Sequence, residues 1–219
     1  MDWKIVVAAP LVAWLVVANA ATLKMPRNWG SDVHAPSDHA YLLGIDPEVH
    51  FNGHPALAVR SQQPLSDIDF GAATHYVDTY GYEGHRVRFS GMLKTSDAST
   101  WAGVFLAPVS GVASRDWMFT DKQSLPFGSM PTTGTVDWHP VSVVMDVPST
   151  PDASISLGLA VVGSGQAWLS DLKFEEVGSD VPLTDTRIGL NIEKLAKLRA
   201  EPEHSAPRVK QVPELDLKS

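Results

Sequence analysis

Cysteine is absent from the 219-residue chain. That removes disulfides, thiolate metal sites, iron–sulfur clusters and cysteine nucleophiles together. Charge is scarce, at 19% of residues, and basic charge is scarcer: 17 Lys and Arg stand against 25 Asp and Glu, a formal net charge of −8. Such a balance offers no basic face to phosphates, so nucleic acid is not an expected partner. Helical periodicity is missing before Asp185, which argues against a parallel α/β sheet with amphipathic helices between its strands. No repeat with a period of about 20 to 50 residues is visible. What is present is a core-forming composition: 44% hydrophobic residues, with 7 Trp and 7 Phe, punctuated by 16 Gly and 16 Pro. Disorder of the whole chain is therefore not expected.

The N-terminus reads as an export signal. Met1-Asp2-Trp3-Lys4 precedes an uncharged stretch from Ile5 to Ala18, shorter than the roughly 20 residues a membrane-spanning helix needs. Ala18-Asn19-Ala20 supplies the small-x-small pattern read by signal peptidase. Residues 1–20 are expected to leave as a signal peptide, with Ala21 as the mature N-terminus. A retained anchor is the alternative, because Asp2 weakens the positive start. The expected address is periplasmic or secreted, with no stable membrane insertion after cleavage.

Turn and strand signals then alternate. Tyr41 to Ile45 and Ala56 to Ser61 are short apolar runs, and Phe51-Asn52-Gly53-His54-Pro55 between them predicts a hairpin, since Gly supplies positive φ and Pro fixes its own. From Arg86 to Lys94, Val87, Phe89, Gly91 and Leu93 share one face while Arg86, Arg88 and Ser90 share the other. A period of two puts the first set inward. Trp101 to Val109 is a second, continuously apolar strand. Val141, Val143, Met145 and Val147 alternate with polar residues, interrupted only by Val144. Ile155 to Val161 alternates cleanly, and Leu172, Phe174 and Val177 follow the same pattern with one slip. Gly163-Ser164-Gly165 should close a tight hairpin.

Many short strands at this spacing predict an all-β antiparallel sandwich, a jelly roll, over residues 25–178. Residues 179–219 are a separate C-terminal segment. Ile188, Ile192, Leu195 and Leu198 approach a helical stripe that Pro202 stops, and Glu201 to Ser219 reads as a flexible tail.

Three stretches also carry a resemblance. They are Gly84-His85-Arg86-Val87-Arg88-Phe89-Ser90-Gly91-Met92-Leu93-Lys94-Thr95, then Gly134-Thr135-Val136-Asp137-Trp138 leading into Val143 to Pro148, and finally Gly163 to Glu175. Over residues 40–178 the chain resembles a bacterial family of small exported jelly-roll domains that often bears a transcriptional-regulator label. That fold is similar to carbohydrate-binding modules and other galactose-binding-like sandwiches. One departure stands out. Relatives show an aromatic-Asp-Asn-Met segment before the Gly-Thr-x-Asp-Trp motif, where this chain has Phe127-Gly128-Ser129-Met130.

Sugar recognition needs flat aromatic faces with amides or carboxylates beside them. Trp117, Tyr82, Trp101 and Tyr80 are the candidate platforms at strand ends and loops, with Trp117 foremost because it follows Ser114-Arg115-Asp116. Trp138 and Trp168 lie inside strand motifs and read as core. A structural calcium, which sandwiches of this shape suggest, would draw on Asp46, Glu48 and Asp171 by residue type alone; solvated surface carboxylates are the default. Among 8 His, the pairs His34/His39 and His50/His54 have no spacing that makes a zinc site. Asp116, Asp121, Asp137 and Asp171 could be nominated as acids, and His85 beside Glu83 and Arg86 as an acid/base group. Ser164 lacks the spacing of a nucleophile elbow. The expected function is non-enzymatic binding of a carbohydrate or other envelope ligand. Two alternatives stand beside it. One is a small exported lyase, isomerase or cyclase using a carboxylate or His in an aromatic-lined pocket, and the other is an envelope assembly protein using the segment after Pro182. Oligomeric state is not legible.

Overall fold

The turn chemistry at Asn52-Gly53 holds. In the computed structural model, which describes residues 23–67, 69–109, 127–149, 154–184, 213 and 215–217, both residues have positive φ, 49° and 83°. This is the type I′ signature of a two-residue hairpin, whose twist matches that of the flanking strands. The strands so joined are β2 (Tyr41–Phe51) and β3 (His54–Ser61), paired antiparallel. The other elements are β1 (Trp29–His34), β4 (Phe70–Asp78), β5 (Arg86–Val109), β6 (Phe127–Gly128), β7 (Thr132–Asp146), β8 (Ser154–Val162) and β9 (Gln166–Val177). Every pairing is antiparallel. The order is β1-β4-β8-β5-β9-β3-β2, with β6 and β7 also on β5.

The expectation of two strands between Arg86 and Val109 is corrected: β5 is one 24-residue strand. Its first half, from Arg86 to Ser96, pairs with β9 and β7. Its second half, from Trp101 to Val109, pairs with β8. Strand β5 thereby divides the curled sheet into two halves. One holds β7, the start of β5, β9, β3 and β2; the other holds β1, β4, β8, the end of β5 and β6. Val87, Phe89 and Leu93 from the first half share one buried cluster with Val104, Leu106, Leu157 and Leu159 from the second. The inward and outward sets read from Arg86 to Lys94 are as expected. Each fully buried Leu contributes on the order of 2 kcal/mol. Tyr41 ties the halves at one margin, donating its hydroxyl hydrogen to the Gly163 carbonyl at 2.6 Å; burial there pushes its pKa up.

Strand β4 was not visible in the sequence. Nearly all of Phe70–Asp78 is buried, so both faces are covered and no alternation results. The slip in β9 has a structural cause. Ser90 faces Lys173 but Met92 faces Ser170, so Asp171 and Leu172 both lie opposite Gly91 in a bulge. Asp171 takes φ 51° there. Gly91 accommodates the bulge, since a Cβ would meet Leu169 Cδ1 at 2.8 Å and the Ser170 carbonyl at 2.9 Å.

The signal segment 1–20 and the C-terminal helical stripe lie outside the described residues. Of the expected tail, Leu217 is buried in the main core and Leu215 packs against it. Before that, Thr184 pairs with Val144 on β7, N–H to carbonyl at 3.1 Å, while its Oγ1 accepts the Val144 N–H at 2.8 Å. Among the described residues no helix is long and apolar enough to cross a membrane.

Candidate functional site

Alternation in the first half of β5 sends Arg88, Ser90 and Met92 to the outer face, and the ladder sets their neighbours. Ser90 lies between Ser142 of β7 and Lys173 of β9, Met92 faces Pro140, and Arg88 lies between Val144 and Glu175. Neighbouring strands are about 4.8 Å apart, so these side chains form rows across three strands. A cleft of about 560 Å³ runs over them, open to solvent. Phe51, Met92, Pro140 and Val141 give it apolar surface; Arg88, Ser90, Ser142, Asp171 and Lys173 give it polar groups.

Aromatic rings stand at one side. Phe51, next to the Asn52-Gly53 turn, meets the Trp138 ring at 5.3 Å between centroids, tilted by 54°. Trp138 is half-buried and packs on Ala56, Ala58 and Trp168. Beneath them, the Trp168 indole N–H donates to Asp46 Oδ2 at 2.8 Å, and Arg60 donates to the same oxygen at 3.2 Å.

Charged pairs stand along the cleft and beside the rings. Arg88 Nε donates to Glu175 Oε1 at 2.9 Å, and Lys173 pairs with the second oxygen of the same carboxylate. The two cations, Lys173 first and then Arg88, hold the Glu175 carboxyl below its ordinary range. Lys94 does the same to Asp137 at 3.0 Å, aided by the Trp138 backbone N–H. The bulge presents Asp171 beside His54, with Oδ1 and Nδ1 3.6 Å apart.

The aromatic candidates largely change place. Trp117 lies outside the described residues. The expectation that Tyr82 and Trp101 are exposed platforms is corrected: they are 3% and 7% exposed. Tyr82 meets Phe174 edge-on at 5.5 Å, and Trp101 packs with Phe70 and Phe105. Tyr80 is exposed at 42%, on a turn where its N–H donates to Asp78 Oδ1, but it does not line the cleft. Trp168 is buried as expected, whereas Trp138 is half-buried, packed on Trp168 and in ring contact with Phe51, which lines the cleft.

The three metal candidates do not gather. Asp46 is 3% exposed and its oxygens are taken by Trp168, Arg60 and the Glu48 N–H. Glu48 points to solvent, and Asp171 stands by His54. Among the described residues no three His, Asp or Glu side chains form a metal-binding group, and neither His pair contributes to one. His85 places Nδ1 2.9 Å from Glu176 Oε2, half-exposed and away from the cleft lining. Asp116 and Asp121 lie outside the described residues.

Phe51, Met92 and Trp138 are functional candidates that the sequence did not mark as such. The available signal was the outward row Arg88-Ser90 together with the slip at Asp171.

Compared with known proteins, the chain matches no family model. It is 31% identical over 162 residues to an uncharacterized HTH-type transcriptional regulator, YbfP, of Bacillus subtilis (strain 168), covering 74% of this chain and 50% of the relative. The chain thus spans about half the length of that curated relative. Similar solved structures include a xylan-binding domain of carbohydrate-binding module family 22, with TM-score 0.48 and 15% identity over 71% of this chain and 90% of that one. Another is the enzymatically active domain of tailspike protein 4 from bacteriophage CBA120, with TM-score 0.47 and 12% identity over 69% of this chain and 20% of that one.

Proposed function

We propose that the protein is an exported β-sandwich of jelly-roll type, periplasmic or secreted, that binds carbohydrate in the cleft over β7, β5 and β9. One observation carries the reading. The Phe51–Trp138 ring pair stands beside an open cleft whose polar lining, Arg88, Ser90, Ser142, Asp171 and Lys173, mixes donors with acceptors. Pyranose rings offer apolar C–H faces to aromatic rings and hydroxyls that both donate and accept, so a ligand of this kind matches both kinds of cleft surface. A protein surface built from strand residues also suits it, because the groups are held by the sheet and are in place before the ligand arrives.

Binding is favoured over catalysis. A glycosidase of the usual kind needs two carboxylates across the scissile bond. Among the described residues lining the cleft, Asp171 is the one carboxylate. The carboxyl shifts found nearby, at Glu175 and Asp137, run downward, opposite to the direction a general acid requires.

The test is retention on immobilised cell-wall and plant polysaccharides, followed by titration calorimetry with the best oligosaccharide. Trp138→Ala is expected to weaken binding by about 10-fold or more, as loss of a stacking ring does at a binding hot spot, while the thermal transition persists. Failure to bind any glycan, or full affinity in the variant, overturns the reading.

A further inference from the structure

The cleft is less acidic than its chain. The whole sequence has a net charge of −8, yet the cleft lining holds two cations, Arg88 and Lys173, against one carboxylate, Asp171. Glu175, just behind them, is the partner of both cations. One carboxylate neutralises one unit charge, so the Arg88–Lys173–Glu175 group keeps one positive charge, which Asp171 balances over the cleft as a whole; the cleft is neutral in a chain of net charge −8.

The donors are also underused. Arg88 spends Nε and one Nη2 hydrogen on Glu175 Oε1, and a guanidinium has five N–H donors. Lys173 spends one of three. Among the described residues no other acceptor takes the rest. The cross-strand pair Arg88–Glu175 and the adjacent pair Ser90–Lys173 fix both cations on the outer face. Side-chain motion contributes little to their placement there, because the backbone ladder decides which face they share.

We infer that the carbohydrate bound in this cleft carries an isolated acid group, such as a single uronate in an otherwise uncharged glycan, seated between Arg88 and Lys173. This rests on the carbohydrate reading above and specifies its ligand class. Arg88 and Lys173 donate charge-assisted hydrogen bonds to the acid group, the stronger kind. The uncharged rings extend from there toward Phe51 and Trp138. A densely charged polyanion is a poor ligand, because the chain's net −8 repels it beyond the cleft. Asp171 performs a sorting role: it accepts from sugar hydroxyls and repels a second acid group placed next to it.

The experiment uses matched oligosaccharides, each in a neutral form and in a form with one ring oxidised to a uronate, titrated into the protein at low and high salt. The uronate form is expected to bind about 10-fold tighter, the scale of one charge-assisted contact, with the preference shrinking as salt rises. In Lys173→Gln the ratio between the two forms falls toward one, whereas Trp138→Ala weakens both forms and keeps the ratio. Circular dichroism and the thermal transition verify that each variant is folded. Equal binding of the two forms, or an unchanged ratio in Lys173→Gln, overturns the inference and leaves the carbohydrate reading standing. Absence of binding to either form in every matched pair overturns both.

Discussion

The two halves of β5 have the same backbone and opposite environments. From Arg86 to Lys94 buried and partly exposed residues alternate, and the outward set lines a cleft. From Trp101 to Pro108 every residue is buried. Phe105 joins an apolar cluster on one face while Leu106 belongs to the main core on the other. The difference teaches where a ligand can act on this protein. A strand covered on both sides offers stability and nothing to bind, whereas a strand covered on one side pairs a rigid interior with a row of addressable side chains.

Alanine substitutions along β5 would test that contrast most strongly. In the second half, Phe105→Ala and Leu106→Ala, adjacent residues on opposite faces, should each cost about 3 to 5 kcal/mol. In the first half, Phe89→Ala should cost a similar amount, while its neighbour Ser90→Ala should stay within about 0.5 kcal/mol. Denaturant unfolding measures all four. A near-neutral Phe105→Ala would show that the outer face of the second half is not closed, and the comparison would break.

A smaller effect sharpens it through buried hydroxyls. Ser170, in the cleft-bearing half, is fully buried and donates to the Pro55 carbonyl at 2.9 Å. Ser156, in the other half, is equally buried, but its Oγ has no partner among the described residues. A hydroxyl buried without a hydrogen bond keeps its desolvation cost. Ser156→Ala is therefore expected to stabilise the protein by about 1 kcal/mol, and Ser170→Ala to destabilise it by about the same. Thermal unfolding of the two variants should move in opposite directions; movement in the same direction would remove the distinction.

The same contrast explains what the sequence disclosed. Strands with one wet face announced themselves: Arg86 to Lys94 and Val141 to Val147 were readable from their period, as was the Asn52-Gly53 turn from its chemistry; Ile155 to Val161 is buried on both faces and was readable because Ser156, Gly158 and Ala160 alternate in size with Ile155, Leu157, Leu159 and Val161. Strand β4 was silent because burial on both faces erases the period, and its Gly71-Ala72-Ala73 run carries little strand propensity. The cleft was illegible for another reason. Phe51, Arg88, Ser142 and Asp171 come from four strands, and only the register of the ladders brings them together. Tyr82 and Trp101 misled because an aromatic residue at a strand end suits a loop platform and a core equally well.

The smallest expected effect concerns the histidines of the two halves. His54 and His85 stand exposed beside Asp171 and Glu176. His75, on β4, is buried against the Trp29 ring, with Nδ1 2.9 Å from the Asn28 carbonyl. A carbonyl can only accept, so Nδ1 carries a proton and the ring is neutral when Nε2 is bare. Burial lowers the His75 pKa, and the Asn28 carbonyl offsets this in part. The unfolded chain therefore takes up this proton at a higher pH than the folded one, near the ordinary value of 6.5. Stability from this group is complete above that value and declines as pH falls through it toward the lower folded-state pKa. The unfolding free energy of the wild type should accordingly drop from pH 7.5 to pH 5, and His75→Gln should lose that part of the slope while keeping the part due to carboxylates such as Glu175. The Glu175 part lies lower, because a depressed carboxyl pKa is felt only as pH approaches the carboxylate range. Identical slopes in wild type and variant between pH 7.5 and 5.5 would mean that His75 is hydrated, and that the half of the sheet holding β4 is less tightly closed than its packing implies.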